Sequence, residues 1–233
     1  MLARCAAALY AALCLGGCVV EPAGPAQHEF RAIERDKAGL VRVNLNFGAG
    51  RLIVGSGTEK LMRGDFTYNV PAWKPEVDYH STAGEGSLTI NQSSDHGAHM
   101  GATHNEWDLR LNRDVPMEIH VHMGAGDADL DLGGLTLRDV EVDMGVGKLN
   151  LDLRGMPKQD YSVRVRGGVG DATVHLPADV GIDARAAGGI GEIRAPGLRA
   201  SDGRYYNDAY ETAKVRIHLD IQGGVGSVRL LSD

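Results

Sequence analysis

An alternation of apolar and polar residues, interrupted by a Gly-x-Gly triplet, recurs along the chain. The first copy is VRVNLNFGAGRLIV from Val41, and related segments begin at Met117, Val140, Ser162, Ile182 and His218. Alternation with a period of two is typical of β-strands that bury one face. Each copy therefore predicts two short strands separated by a glycine corner.

The second glycine of each triplet defines the spacing of the repeat. These glycines are Gly50, Gly126, Gly147, Gly170, Gly191 and Gly226, at intervals of 76, 21, 23, 21 and 35 residues. A weaker copy, AGEGSLTI with Gly86, divides the first interval. Residues two and four positions after each glycine are apolar, and the residues between them are mostly polar. We therefore expect one face of each strand in the core and the other in water.

The regular spacing distinguishes two all-β architectures. Glycine between two strands permits positive φ or a close approach of backbones at a corner. A coil of strands, in which each unit adds one turn and stacks on the last, explains why the corner recurs at a nearly fixed period. A β-sandwich has similar short strands but gives no reason for that period. We predict a β-solenoid.

The pattern loosens between Thr58 and Pro116, where the aromatic residues gather. These residues are Phe66, Tyr68, Trp73, Tyr79 and Trp107. Strand-like runs at 61–68, 76–80, 87–91 and 106–111 predict antiparallel hairpins that cap the first coils, since a solenoid end exposes core and unpaired backbone. The alternative is an aromatic binding platform. Residues 196–212 are predicted to form a loop or short helix near the last coils.

The N-terminus has the features of a secretory signal. Arg4 precedes an apolar run, Cys5–Leu15, which is too short for a membrane crossing of about 20 residues. The run ends in Leu15-Gly16-Gly17-Cys18, which resembles the bacterial lipobox. That resemblance implies that Cys18 is acylated and becomes the mature N-terminus; the alternative is an ordinary signal peptide that contains a cysteine.

These features predict four segments. They are a lipoprotein signal peptide at 1–17, a tether at 18–32, an N-terminal segment with hairpins at 33–116 and the coils at 117–233, with one continuous domain from residue 33. Val19 is not the Asp that often retains lipoproteins in the inner membrane, which favours the outer membrane if the source has two. The expected location is the cell envelope.

The composition limits the classes of partner that the protein can bind and the interactions that can stabilise its fold. The 233 residues include 32 Gly but only 8 Pro, and 43% are hydrophobic, enough for a sizeable core. A net charge of −7 provides no general attraction to nucleic acid. Cys18 is the only cysteine after the signal, so no disulfide is expected within the exported chain.

One loop has candidate metal ligands. Asp95, His96, His99 and His104 lie within ten residues and provide donors for Zn²⁺ or Ni²⁺. Small neighbouring residues favour the alternative, a solvated hairpin loop. The chain contains no Walker loop, no His-Glu-x-x-His and no Gly-x-Ser-x-Gly, and we predict no catalytic residues and no cofactor.

The order of these segments resembles the toastrack family of bacterial envelope proteins, the DUF2154 or DUF4097 domains related to the C-terminal part of the LiaF antibiotic-response proteins. The resemblance covers residues from about Ile33 to the end. Its carrying segments are VRVNLNFGAGRLIV, LMRGDFTYN, DLDLGGLTLRDVEVDMGVGKLNLDL, GGVGDATVHLP, the pair Tyr206-Asn207 and GGVGSVRL. It implies a single-stranded, right-handed β-helix without known catalytic residues. Gram-positive members carry transmembrane segments and act in cell-wall stress signalling, whereas this chain has a lipoprotein signal.

Two functions remain as hypotheses. The first is a lipid-anchored, non-catalytic structural or interaction module of the envelope, in stress response or adhesion, that binds another envelope protein or itself. The second is an envelope sensor that binds a small ligand or metal through the aromatic region or the histidine loop. A pocket lined by Trp73, Tyr79 and Trp107 favours the sensor, and burial of these rings favours the interaction module.

Overall fold

The computed structural model describes residues 20–93, 98–100 and 102–233. This part of the chain consists of strands, turns and one short 3₁₀ helix, Pro71–Trp73. The strands are β1 (Val20–Pro22), β2 (Gln27–Ile33), β3 (Leu40–Thr58), β4 (Met62–Tyr68), β5 (Pro75–Thr82), β6 (Glu85–Gln92), β7 (Ala98–Met100), β8 (Asn105–Asn112), β9 (Pro116–Asp131), β10 (Thr136–Asp152), β11 (Tyr161–Leu176), β12 (Gly181–Ile190), β13 (Ile193–Arg194), β14 (Arg199–Ser201), β15 (Arg204–Tyr206), β16 (Arg216–Val225) and β17 (Val228–Ser232).

The long strands β3, β9, β10 and β11 each continue through a Gly-x-Gly corner that divides them into two half-strands. They stack in parallel and in register, so that equivalent glycines of the corners pair with one another. A short turn, such as the one at 132–135, returns the chain from the end of one coil to the start of the next. The predicted β-helix is confirmed, and each coil has two sides.

The core lies between the two stacks of half-strands. In the first coil Val41, Val43 and Leu45 on one side face Leu52 and Val54 on the other, and all five are inaccessible to solvent. Complete burial of such a side chain stabilises the fold by about 1.5–3 kcal/mol. The residues two and four positions after the repeat glycines are buried or partly buried, as predicted: Leu52, Val54, Leu88, Ile90, Ala128, Leu130, Leu149, Leu151, Ala172, Val174, Ile193, Ala195, Val228 and Leu230.

The stacking order differs from the chain order at the C-terminal end. Strands β16 and β17 pair with β11 on one side and with β12 and β13 on the other. The last coil in the sequence is therefore inserted between two earlier ones, and the expectation that each coil stacks on the previous one is wrong here. The interval of 35 residues from Gly191 to Gly226 provides enough chain to pass over the inserted coil.

The coil on the other side of β3 is built from two separate strands. β6 pairs with the first half of β3 and β8 with the second half. Gly86 lies opposite Val41, so its prediction as a corner glycine is wrong. Asn105 is the neighbour of the Gly50 corner, because a Cβ built on Gly50 would lie 2.1 Å from the Asn105 carbonyl oxygen. The corner motif is therefore absent from this coil.

Antiparallel strands cap this end of the stack. β5 forms a hairpin with β6, and β4 pairs with both β2 and β8. The predicted hairpin runs 61–68 and 76–80 correspond to β4 and β5, whereas 87–91 and 106–111 belong to the coil itself. β2 also brings residues 27–33 into the sheet, which includes part of the segment predicted as a tether.

A smaller element covers part of the opposite end. The β14–β15 hairpin pairs with β12 only at Asp183 and Ala184. It occupies the first part of the segment at 196–212 for which a loop or short helix was predicted. The corner of the coil at this end of the stack, at residues 188–191, lies beyond this hairpin.

The corner glycines meet two requirements at once. Gly147 has a φ of 141°, and a Cβ at this position would lie 1.8 Å from the carbonyl oxygen of Gly126. The first glycine of the same triplet, Gly145, would place its Cβ 2.3 Å from the carbonyl oxygen of Gly124. Any side chain would therefore separate adjacent coils as well as strain the backbone.

We predict that Gly147→Ala destabilises the protein more than Gly57→Ala does. Gly57 has a φ of 135°, but nothing lies within 4 Å of a Cβ built there, so its substitution adds strain alone, roughly 1–3 kcal/mol. Gly147→Ala adds a collision with backbone. Denaturant unfolding of both variants measures the difference, and equal losses of stability would show that the coils do not touch at the corner.

Candidate functional site

The middle residues of the Gly-x-Gly triplets form a row of apolar side chains along the outside of the corner. Val146, Val169, Val225 and Ile190 are 53%, 50%, 46% and 73% exposed. In stacking order the row is Ala49, Ala125, Val146, Val169, Val225 and Ile190. At about 4.8 Å per strand it is roughly 24 Å long. We call this row the apolar ridge.

The apolar ridge is a consequence of the corner geometry. Glycines on both sides of the middle residue have no side chains, so nothing shields it from solvent. Contiguous aliphatic side chains on a surface typically mark a contact with another molecule. The side chain also increases in size from alanine in the first coils to valine and isoleucine in the last. The C-terminal half of the ridge is therefore its most apolar part.

A groove of about 730 Å³ runs beside the ridge. Its wall includes outward side chains of successive coils, Asn46, His122, Asp143 and Arg166, which are register neighbours. The first glycines of the triplets, Gly48, Gly124, Gly145 and Gly168, also line it. A flat strip of backbone thus separates a row of polar side chains from the ridge.

Ion pairs order the side chains of this groove. The Arg166 guanidinium donates to Glu141 Oε1 at 2.6 Å and to Asp143 Oδ1 at 3.0 Å. His122 Nδ1 lies 3.3 Å from Asp143 Oδ2. The hydrogen bond from Arg166 is the main reason that the pKa of Glu141 lies below its usual value. Such exposed pairs contribute little to stability, so their main effect is to fix where charge is presented.

A cavity of about 80 Å³ lies on the inner side of the corner, behind the ridge. Phe47, Met123 and Met144 fill the last inward position before the corner in the first coils. The equivalent residues of the later coils are Gly167, Gly223 and Gly188. At about 24 cal/mol per Å³, an empty space of this size costs roughly 2 kcal/mol.

The aromatic residues predicted as a binding platform do not form one. Trp107 is completely buried, with its ring centroid 4.8 Å from Phe47 and 5.5 Å from Phe66. Tyr79 is half-buried and its hydroxyl would lie 2.8 Å from a Cβ on Gly86, and Trp73 is half-buried in the 3₁₀ helix. Trp107 is thus a core residue, which favours the interaction module over an aromatic sensor site.

Several predicted site residues have no described environment. Cys18 and His96 lie outside the described residues, and of His99 only the backbone, in β7, is described. The backbone N–H of His104 donates to Asn69 Oδ1 at 2.7 Å. Within the described ranges no group of three or more His, Cys, Asp or Glu side chains is placed to hold a metal. The solvated hairpin predicted for this loop stays a prediction, and metal binding stays its alternative.

The ridge was not among the predicted sites. An apolar residue inside each glycine triplet was its signal in the sequence, but alternation alone does not show whether that residue faces the core or the solvent. Asn207, too, had no predicted role. This residue is buried: its Oδ1 accepts from the Ile182 N–H at 2.9 Å, and its Nδ2 donates to the Val180 carbonyl at 2.7 Å. This side chain anchors the C-terminal segment to the start of β12.

Comparison with known families identifies the class of protein. The model for the N-terminal domain of toast_rack, DUF2154, matches residues 22–175, and the model for the C-terminal region of the cell wall-active antibiotics response protein LiaF matches residues 126–230. The first match covers more than half of the chain. The chain therefore belongs to the toast_rack family.

A solved structure agrees with this assignment. A "putative cell adhesion protein" from Clostridium sporogenes ATCC 15579 is 34% identical, with a TM-score of 0.86, over 90% of this chain and 100% of that one. A "putative adhesin" from Bacteroides fragilis NCTC 9343 is 10% identical, with a TM-score of 0.34, over 91% and 100% of the two chains. No curated protein matches significantly. Among the described residues there is no helix with the length and hydropathy of a membrane span.

We predict that Arg166→Gln raises the pKa of Glu141 towards its ordinary value, because the neutral amide donates a weaker hydrogen bond and carries no charge. Carboxyl carbon shifts recorded against pH by NMR measure this change. Arg138→Gln is the matched control, since Arg138 is exposed on β10 and has no ion pair among the described residues. An unchanged pKa of Glu141 in Arg166→Gln would show that Arg166 does not lower it.

Proposed function

We propose that this protein is a non-catalytic interaction module of the cell envelope, held at a membrane by a lipid on Cys18. Its apolar ridge contacts another envelope protein or a second copy of the chain. The toast_rack and LiaF matches support an envelope location and a role without catalysis. The description of the Clostridium sporogenes protein supports adhesion, and the LiaF match supports an envelope stress response.

The observation that carries the proposal is the exposure of four consecutive aliphatic side chains on the ridge. Soluble surfaces rarely hold a contiguous row of this kind without a partner. Val146, Val169 and Val225 are also held rigidly, because each belongs to a strand that is paired on both sides. A rigid apolar row flanked by charged groups has the composition of an interface with an apolar centre and a polar rim.

We expect Cys18→Ser to abolish stable membrane association of the processed protein. No other cysteine follows the signal, so no other residue provides a thiol for acylation. Membrane fractionation in detergent-free buffer, with metabolic labelling by a fatty acid, measures the effect. Cys14→Ser is the matched control and should be labelled and retained like the natural protein. Undiminished labelling of Cys18→Ser would refute the lipid anchor.

Cross-linking in intact cells measures how much partner the protein recovers. We expect the double variant Val146→Asp/Ile190→Asp to recover at least about tenfold less partner than the natural chain, because a carboxylate at an apolar contact must be desolvated. Stability should change little because both residues are exposed. Met156→Asp is the control, because Met156 is 94% exposed and lies away from the ridge.

Two copies with different tags, expressed together, distinguish self-association from binding of another protein. In either case the natural chain and Met156→Asp should give the cross-linked product in equal amount, and the ridge variant should give at least about tenfold less. Identical products from all three chains would show that the ridge is not the contact surface.

A further inference from the structure

We propose that the turn between β4 and β5 contacts the surface of a phospholipid bilayer and so determines which end of the solenoid faces the membrane. We call residues 70–74 the interfacial turn. The inference rests on the proposed lipid on Cys18, which brings the chain to a membrane. It adds the part of the folded domain that meets that membrane.

The interfacial turn lies at the capped end of the stack, on the edge where the glycine corners lie. β4 ends beside β8, where Tyr68 pairs with Asn105, and β5 begins beside β6, where Pro75 pairs with Gln92. Because β6 and β8 lie on the two sides of the solenoid, the turn crosses from one side to the other. It occupies the place of a further corner, built from a turn instead of a glycine triplet.

The chain that carries the lipid is attached at the base of this turn. The backbone N–H of Gly24 donates to the carbonyl oxygen of Asn69 at 2.8 Å. Asn69 is 9% exposed, and its side chain donates to the Ala102 carbonyl at 2.8 Å and accepts from the His104 N–H at 2.7 Å. Gly24 follows Cys18 by six positions, so the two Cα atoms are separated by at most about 22 Å. The lipid therefore holds the interfacial turn close to the bilayer.

The interfacial turn presents apolar residues on the surface. Pro71, Ala72 and Trp73 form the short 3₁₀ helix, and none of the three is buried. Lys74 follows them and is exposed. Tryptophan combines an apolar ring with a polar N–H and is enriched where hydrocarbon meets water, and a neighbouring lysine side chain can extend to the phosphate groups. The residues of the turn therefore match the chemistry of the headgroup region of a bilayer.

The turn is also held in one conformation. The N–H of Trp73 donates to the Val70 carbonyl at 2.9 Å, and the N–H of Lys74 donates to the Pro71 carbonyl at 3.3 Å. Val70 at the start of the turn is 1% exposed, and Pro75 directly after it is buried. Both ends of the turn are thus fixed, and contact with lipid costs little additional ordering of the chain.

This orientation leaves the most apolar part of the ridge available to its partner. β4 and β12 are seven strand spacings apart in the stack, which corresponds to about 34 Å. Ile190 ends β12, so it lies at the end of the stack opposite to the interfacial turn. The membrane contact and the proposed protein contact therefore use different ends of the molecule.

The test measures quenching of tryptophan fluorescence by brominated lipid. The acylated full-length chain is placed in vesicles of phosphatidylethanolamine and phosphatidylglycerol that carry bromine on the acyl chains near the headgroups. The chain has two tryptophans, and Trp107 is completely buried, so its emission is a constant background that also reports whether each variant is folded. We expect brominated lipid to quench the emission of Trp73, and we expect Trp73→Phe to abolish this quenching.

Three variants make the test specific. Trp73→Phe/Met156→Trp moves the tryptophan to a position that is 94% exposed and follows β10, and it should not be quenched. Ala72→Glu keeps Trp73 but adds a carboxylate that resists desolvation, and it should reduce the quenching at least about twofold. Ala187→Glu is the matched control, because Ala187 is exposed on β12 at the other end of the stack. Its quenching should equal that of the natural chain.

The results distinguish this inference from the lipid anchor. A chain that is acylated and bound to vesicles, but whose Trp73 is not quenched, would overturn the membrane contact and leave the anchor intact. Quenching of the tryptophan introduced by Met156→Trp, or equal quenching of Ala72→Glu and the natural chain, would also overturn the contact. A processed chain without a lipid on Cys18 would overturn both proposals.

Discussion

Close approach of backbones at the corner is the constraint on which the rest of the structure depends. A Cβ on Gly170 or Gly226 would lie 1.7 Å from the carbonyl oxygen of the neighbouring coil, so the corner exists only as a stack of glycines. Because each coil with the corner motif must place its glycines directly above those of the next, the register of the other residues in these coils follows. Apolar side chains then align in columns inside, and charged side chains align in ladders outside.

The same close approach at the corner accounts for the apolar ridge and for the cavity behind it. Flanking glycines leave the middle residue of each triplet in solvent, which produces the apolar ridge. The two half-strands of each coil also meet at the glycine corner. Large residues such as Phe47 and Met123 fill the space inside this corner in the first coils. Glycine at the same inward position in the later coils leaves a small cavity there. One backbone geometry thus presents an outer apolar row and an inner apolar cavity on the two sides of a single edge.

The sequence predicted the parts of the fold that depend on local periodicity. Alternation identified the strands and their inward residues, and the repeated triplet identified the solenoid. The position of the final coil could not be predicted, because all the corners are chemically equivalent and Gly226 fits equally well beside Gly170 or beyond Gly191. Gly86 resembled a corner glycine in the sequence, but it lies in β6, and its coil is assembled from the two strands β6 and β8. Only the pairing of these strands with β3 shows how this coil is built. The burial of Trp107 could not be predicted for the same reason. Its side chain lies in the core because β8 completes a coil, and the composition does not show that β8 does so.

Nuclear Overhauser effects between backbone protons of the corner glycines test the central claim most directly, since they report which coils touch. The account predicts that Gly226 gives cross-peaks to both Gly170 and Gly191, because strands β16 and β17 lie between the two earlier coils. It also predicts that Gly170 and Gly191 give none to each other. A direct cross-peak between Gly170 and Gly191, with Gly226 contacting only one of them, would contradict the stacking order and the continuous glycine column derived from it.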